Sequence, residues 1–225
     1  MHYEIVGGQL PVVICKVDAG EKIYTESGGM CWMDDGFEMD SNTRGGLLKG
    51  LGRAMSGESI FMTTYTSPRD HAEIAFGSSF PGKIIPLTLR EQESKIVQKT
   101  AFLAAEDSVQ LKMHFRKKLG ASFFGGEGFI LQRVSGPGTA FLEIDGDIVE
   151  KELAPGETIK VDQGYIAAFD ESVSFDITTV KGLKNKFLSG EGFFLATLTG
   201  PGKVWLQTMP FSVLADRIID IVPHK

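Results

Sequence analysis

Two cysteines in 225 residues, Cys15 and Cys31, are too few for a disulfide framework, and no Cys-x-x-Cys spacing offers a zinc site. Both lie in apolar, strand-like settings. They read as buried free thiols, and with them the chain is expected in a reducing cytoplasm. Four histidines, His2, His71, His114 and His224, stand apart with no His-x-His pair, so the close imidazole-and-carboxylate set of a metal cupin is missing. His114 reads as structural and His71, beside Asp70, as a solvated loop residue. No metal and no cofactor is expected. There is no Gly-x-Ser-x-Gly elbow. The glycines from Gly45 to Gly52 fail as a phosphate loop because Lys49 is followed by Gly50 rather than Ser or Thr. No catalytic residue is nominated, and the chain reads as non-enzymatic. Nothing approaches the ~20 apolar residues of a membrane span. Met1 to Gly20, with Glu4, Gln9 and Lys16, predict no secretory signal. Basic residues are outnumbered, 23 to 29, for a net charge of −6, which argues against a nucleic-acid partner.

What the chain does have is apolar content and glycine. Apolar residues make up 42%, enough for a core, and 27 glycines are well above the usual share of about 7%. Glycine at that level without a Gly-X-Y period implies many tight turns. It argues against a helical bundle.

The glycines recur in register. Ser56-Gly57-Glu58-Ser59-Ile60-Phe61-Met62 returns as Gly125-Gly126-Glu127-Gly128-Phe129-Ile130-Leu131 and as Ser189-Gly190-Glu191-Gly192-Phe193-Phe194-Leu195. The last two copies continue into Gly136-Pro137-Gly138 and Gly200-Pro201-Gly202. Ahead of them, Phe102-Leu103-Ala104-Ala105 resembles Tyr165-Ile166-Ala167-Ala168, with Met30-Cys31-Trp32-Met33 as the first copy. Gly20-Glu21-Lys22-Ile23 matches Gly156-Glu157-Thr158-Ile159. Three signatures in one order mark an internal repeat. The boundaries fall at roughly 20–88, 89–155 and 156–222 within one compact all-β unit, 1–225. The repeated Glu58, Glu127 and Glu191 read as turn residues that accept backbone N–H bonds.

Short apolar runs bounded by Gly and Pro predict strands. Gly-Pro-Gly between two such runs predicts hairpins over Gly128 to Ile144 and Gly192 to Gln207, with Pro second in the turn and Gly third. Phe193-Phe194-Leu195 is apolar on both faces, so it needs cover from a second sheet or another subunit. A helix is predicted over Phe211 to Ile221, capped by Ser212 and closing one end of the β core through Phe211, Leu214, Ala215 and Ile218. Gly45 to Gly57 is a weaker helical candidate.

Charge is placed unevenly. Arg44 to Gly57 carries Arg44, Lys49 and Arg53. Lys112 to Gly126 carries Lys112, Arg116, Lys117 and Lys118. Lys181 to Gly190 carries Lys181, Lys184 and Lys186. These three segments hold no acidic residue, where even mixing would place about five. Leu47, Leu48, Leu51, Phe123, Phe124, Leu183, Phe187 and Leu188 are interleaved with the charges. Basic residues among Leu and Phe suit an anionic membrane surface or an acidic protein. The bland alternative is loop charge that only solvates the surface.

The Gly-Glu-Gly-Phe and Gly-Pro-Gly repeats, Phe102-Leu103-Ala104-Ala105 and Pro210-Phe211-Ser212-Val213-Leu214-Ala215 together resemble the altered inheritance of mitochondria protein 24 family, formerly domain of unknown function 124. The resemblance implies an all-β fold similar to the tryptophan RNA-binding attenuation protein, with sandwich units and oligomeric assembly. It carries over no catalytic or ligand residue. The combined expectation is an all-β, sandwich- or barrel-like chain of three repeated units with a short C-terminal helix. It would act as a homo-oligomeric scaffold or adaptor that docks through the basic segments. The competing expectation is a small-ligand-binding, cupin-like β protein or enzyme.

Overall fold

The computed structural model describes residues 1–26, 28–41, 62–117, 128–179 and 194–221. The chain is all-β, as the repeats imply, with a short helix at its C-terminal end. Its strands are β1 (His2–Val6), β2 (Val12–Val17), β3 (Lys22–Glu26), β4 (Met30–Met33), β5 (Glu38–Asp40), β6 (Met62–Thr66), β7 (Ala72–Gly77), β8 (Gly82–Leu89), β9 (Ser94–Gln98), β10 (Phe102–Glu106), β11 (Gln110–Lys117), β12 (Phe129–Ser135), β13 (Gly138–Asp145), β14 (Ile148–Leu153), β15 (Thr158–Asp162), β16 (Ile166–Asp170), β17 (Ser174–Thr179), β18 (Phe194–Thr199) and β19 (Gly202–Gln207). The helix is α1 (Phe211–Ile221).

Four sheets result. Sheet I runs β1-β2-β7-β4 and sheet II runs β5-β6-β3-β10-β13-β8. Sheet III runs β11-β12-β9-β16-β19-β14 and sheet IV runs β15-β18-β17. These orders expose one six-stranded pattern used three times: β2 to β7, β8 to β13, and β14 to β19. In each copy the sixth strand lies between the first and third, and the fifth lies between the second and fourth. The second strand of one copy then pairs with the third strand of the next, as β3 with β10 and β9 with β16. That step makes the two six-stranded sheets.

The copies agree residue by residue. A bulge interrupts the third strand's pairing with the sixth at Met30/Trp32, at Phe102/Ala104 and at Ile166/Ala168. The acid that closes the third strand then accepts a backbone N–H at the start of the sixth. Asp34 takes Glu73 N–H at 3.0 Å, Glu106 takes Thr139 N–H at 2.5 Å, and Asp170 takes Lys203 N–H at 2.8 Å. A second carboxylate fixes the turn before each second strand: Glu21 accepts from Asp18 N–H, Glu93 from Arg90 N–H and Glu157 from Ala154 N–H, at 2.9, 3.1 and 2.9 Å. These turns need a left-handed residue, supplied by Gly20 (φ 78°), Gln92 (φ 64°) and Gly156 (φ 79°). The middle copy uses glutamine there, which hides the turn from a glycine search.

The expected hairpins do not form. β12 lies in sheet III and β13 in sheet II; β18 lies in sheet IV and β19 in sheet III. The Gly-Pro-Gly turn carries the chain from one sheet to another. The peptides before Pro137 and Pro201 are cis. No side chain fits at Gly136 or Gly200. A Cβ would come within 2.4 Å of a carbonyl oxygen, that of Arg90 or of Ala154.

Two compact units emerge. One comprises Met1–Glu93, Phe102–Gln110 and Ser135–Glu143; the other comprises Ser94–Ala101, Leu111–Val134 and Ile144–Lys225. The middle copy is shared, with β10 and β13 in the first unit and β9 and most of β12 in the second. In the first unit, Val13, Cys15 and Val17 of β2 and Ile74 and Phe76 of β7 pack with Ile23, Tyr65, Leu103, Ala104 and Phe141 of sheet II. In β2 the buried residues alternate with half-buried Ile14 and exposed Lys16, the period of a strand covered on one face. In the second unit, Phe129, Leu131, Phe169 and Val204 of sheet III pack with Ala196 and Leu198 of sheet IV. Burying each such aromatic or leucine side chain contributes about 1.5–3 kcal/mol. Phe129, Ile130 and Leu131 are buried; of the run Phe193-Phe194-Leu195, the side chain of Leu195 is half-buried and those of Phe193 and Phe194 lie outside the described residues.

The repeated acids make a direct test. Asp170 also accepts from the part-buried Lys95 ammonium at 2.8 Å, so Asp170→Ala removes an acceptor from a cation as well as from a backbone donor. We expect a loss of about 2 kcal/mol in urea denaturation, and a smaller loss for Asp34→Ala, whose partner Arg69 is exposed.

Candidate functional site

The three basic segments connect equivalent strands. Residues 42–61 join β5 to β6, residues 118–127 join β11 to β12, and residues 180–193 join β17 to β18. Each pair forms the fourth and fifth strands of a copy, neighbours in one sheet and antiparallel in the first and third copies. The first and third segments lie wholly between those strands, whereas Lys112, Arg116 and Lys117 of the second lie on β11 itself and only Lys118 lies beyond it. Arg44, Lys49, Arg53, Lys118, Lys181, Lys184 and Lys186 lie outside the described residues, as do Glu58, Glu127 and Glu191. Among the remaining nominated residues, Arg116 is half-buried on β11 and Lys117 ends that strand; Lys112, on the same strand, is exposed.

Three other basic residues of sheet III are met by acids. Lys95 pairs with Asp170 at 2.8 Å, Arg133 with Glu171 at 2.6 Å and Lys203 with Glu150 at 3.0 Å. Trp205 donates its indole N–H to Glu150 at 3.1 Å, and the Lys95 and Lys203 ammonium groups lie 5.9 and 5.7 Å from the Trp205 ring centre. The Lys203 hydrogen bond is the chief reason that the Glu150 carboxyl is held below its ordinary value. This lattice neutralises itself, whereas Arg44 to Gly57, Lys112 to Gly126 and Lys181 to Gly190 carry no acid.

Other polar side chains that composition could not single out are now placed. Glu143 is buried and accepts from Ser79 N–H at 2.7 Å, Ser79 Oγ at 2.9 Å and Ser78 Oγ at 3.2 Å. Gln98 on β9 and Gln132 on β12 are 1% and 0% exposed, on neighbouring strands of sheet III. The amide nitrogen and oxygen of both have no hydrogen-bond partner. An unmet buried polar group costs about 1–3 kcal/mol, so these amides are where a small polar guest would be held. Nothing in the sequence distinguishes them from surface glutamines.

The cysteines differ from each other. Cys15 is buried, and burial above all, helped by the Glu106 carboxylate, pushes its thiol up to about 12. Cys31 is exposed on β4, contrary to the expectation of two buried thiols. Among the described residues no three His, Cys, Asp or Glu side chains gather to hold a metal ion. His71 is exposed, with φ 55° and its Nδ1 3.1 Å from Asp18, in keeping with a solvated loop.

The C-terminal helix also departs from expectation. It starts at Phe211, whose N–H donates to Asp145 Oδ2 at 2.7 Å, so Asp145 rather than Ser212 serves the first turn. Its described residues are half-buried or exposed, with Ile218, Ile219 and Ile221 exposed. An apolar rhythm forms here without becoming a core face. No helix among the described residues is long and apolar enough to cross a membrane.

Three six-stranded copies, joined strand to strand and carrying equivalent long loops, define an internally triplicated all-β protein. The family model described as Mitochondrial biogenesis AIM24 matches residues 3–209, and the chain belongs to that family. An uncharacterised protein of Streptococcus pyogenes serotype M6 is 29% identical over 223 residues, covering 96% of this chain and 88% of that protein. The crystal structure of a Streptococcus pyogenes protein, a structural genomics target, superimposes with a TM-score of 0.80 at 28% identity, covering 98% of this chain and 99% of that one.

Burial raises the Asp145 carboxyl above its ordinary 3.8, partly offset by the Phe211 N–H. A raised acid stabilises the fold fully below its unfolded value and loses that contribution as pH rises through the folded value. Asp145→Asn keeps an acceptor for Phe211. It should match or exceed the wild type in thermal stability at pH 7, with the advantage vanishing below pH 3.8. Asp145→Ala, lacking the acceptor, should lower the helical circular dichroism signal.

Proposed function

We propose that the protein is a non-enzymatic, oligomeric β scaffold of the cytoplasm that docks on anionic membrane surfaces or acidic proteins. The observation that supports this reading is the recurrence of three acid-free, basic and apolar segments, each ending shortly before the fifth strand of a copy, in a chain of net charge −6. Near an anionic surface each basic residue adds about 1 kcal/mol. Three such loops acting together outweigh any one of them. Charges elsewhere on sheet III are already met by acids and add little.

Flotation with neutral and anionic liposomes tests the reading. Binding is expected with anionic vesicles alone, and high salt should abolish it, because screening shortens the reach of exposed charge. Reversal of Lys49, Arg53, Lys117, Lys118, Lys184 and Lys186 to Glu should abolish it at low salt too. Retention of binding by that variant sinks the loop assignment. Pull-down with acidic polypeptides separates a protein partner from a lipid one.

Gln98 and Gln132 support a second reading, a β protein that holds a small polar ligand. The aromatic and aliphatic filling around Phe129 and Phe169 counts against a large cavity, so the guest would be small. Native mass spectrometry of the purified protein should then show a mass above that of the chain, lost in Gln98→Leu and Gln132→Leu. A bare chain mass, with both variants at least as stable as wild type, rejects it.

A further inference from the structure

The first strand of each copy borders its sheet, and the three copies treat that border differently. The turns that follow align them: Asp18, Arg90 and Ala154 each donate a backbone N–H to the glutamate three residues on. Val12–Val17 of β2 therefore corresponds to residues 84–89 of β8 and to Ile148–Leu153 of β14. In copy one, β1 is added outside β2 as an antiparallel strand, with Glu4 opposite Ile14 and His2 opposite Lys16. In copies two and three no described strand lies outside β8 or β14.

The hydrogen-bond pattern determines which backbone groups turn outward. In an antiparallel ladder, every second residue bonds the neighbour on one side, and the residues between turn their groups to the other side. Thr208 N–H donates to Asp147 C=O at 3.0 Å, and β14 continues from there in register with β19. Val149 and Lys151 extend that series toward β19. Ile148, Glu150 and Glu152 therefore present their N–H and C=O groups at the open border. The same alternation holds in β2: Ser78 N–H donates to Pro11 C=O at 3.0 Å, and Ile14 turns toward β1. In β8 the residue equivalent to Ile14 and Glu150 is Pro86, which is exposed and has no N–H to offer. One border is occupied, one is stopped by proline and one is open.

The side chains limit what the open border accepts. Val149, Glu150, Lys151 and Glu152 are exposed, Val149 by 42%. Glu150 is already met by Lys203 and by the Trp205 indole, whereas the ion pairs of sheet III leave out Lys151 and Glu152. A second copy of β14 fits poorly. Antiparallel pairing about Glu150 puts the two Glu150 side chains opposite each other, and like charges there destabilise. We propose that β14 is a docking edge for an extended segment of another protein, which adds antiparallel to it as β1 adds to β2. The β1 pairing sets the order of residues. From its N-terminus the segment carries a basic residue opposite Glu152, an acidic one opposite Lys151, a small polar one opposite Glu150 and an apolar one opposite Val149. Backbone bonds at Ile148, Glu150 and Glu152 supply the attraction, and the charges fix the register. The site uses none of the three basic segments.

A fluorescein-labelled peptide with the central order Lys-Glu-Thr-Val, flanked by threonines, tests the site by fluorescence anisotropy with the intact protein. Saturable binding is expected. Glu150→Pro copies Pro86 and removes the outward N–H; it should weaken binding by about tenfold or more, whereas Glu150→Ala keeps the N–H and should change it by less than about threefold. Methylating the peptide nitrogen of the residue opposite Glu150 should weaken binding as proline does, and it leaves the protein's folding untouched. The double variant Lys151→Glu, Glu152→Lys should prefer the peptide ordered Glu-Lys-Thr-Val. No saturable binding by the wild type overturns the proposal, as does binding indifferent to both Glu150→Pro and peptide methylation. Failure of the charge swap to switch preference overturns the stated chemistry of the partner. Light scattering checks the occupant: a fall in the protein's own mass with Glu150→Pro assigns the edge to a second copy and overturns the partner.

Discussion

The ladder between one copy's second strand and the next copy's third strand is the constraint on which the rest of the fold depends. Each copy alone provides two three-stranded sheets. Each has an edge whose backbone groups would face water or a neighbour. Joining β3 to β10 and β9 to β16 turns four of those edges into sheet centres. The third strand becomes interior at the same step, which is why Phe102 to Ala105 and Ile166 to Phe169 tolerate no polar side chain. Each ladder hydrogen bond is worth about 1 kcal/mol net. The covered side chains supply the larger part.

The carboxylates serve that ladder. Asp34, Glu106 and Asp170 end the third strands immediately after the bulge and hold the first N–H groups of the sixth strands. A bulge shifts register by one residue, and a shift of one residue would turn every following side chain to the wrong face. A charged acceptor beside the bulge fixes the shift at one value. The glutamates of the preceding turns do the same for the entry to the second strand. Conserving charge type rather than identity, aspartate in two copies and glutamate in one, is enough for the first role, since each reaches the same backbone donor.

Much of the architecture was legible in the sequence because repetition is a comparison of the chain with itself. The three signatures found the third strand, the turn before the second and the approach to the fifth. What was not legible is non-local. Gly-Pro-Gly marks a sharp turn, but whether its flanks pair with each other or part into different sheets depends on partners far along the chain, such as Phe102 for Leu142 and Ile166 for Leu206. Cys15 and Cys31 both sit in strand-like segments, yet Cys31 lies on the edge strand β4 and Cys15 on β2, which is paired on both sides. Gln92 adopts a left-handed backbone usually left to glycine, so the middle turn carries no glycine signal. Gln98 and Gln132 look like surface residues until their strands are placed in sheet III.

The charge pattern makes sense on this scaffold. On sheet III, Lys95, Arg133 and Lys203 are each matched by an acid at 2.6–3.0 Å. An unmatched cation on part-buried surface costs more than a solvated one. The connections between fourth and fifth strands carry a basic excess in the first and third copies. Connections between the elements of a scaffold are the usual seat of binding function. Under the proposed docking, triplication adds a further consequence: a modest attraction at one segment would be repeated at the others, and tethered binding events reinforce one another without any single strong contact.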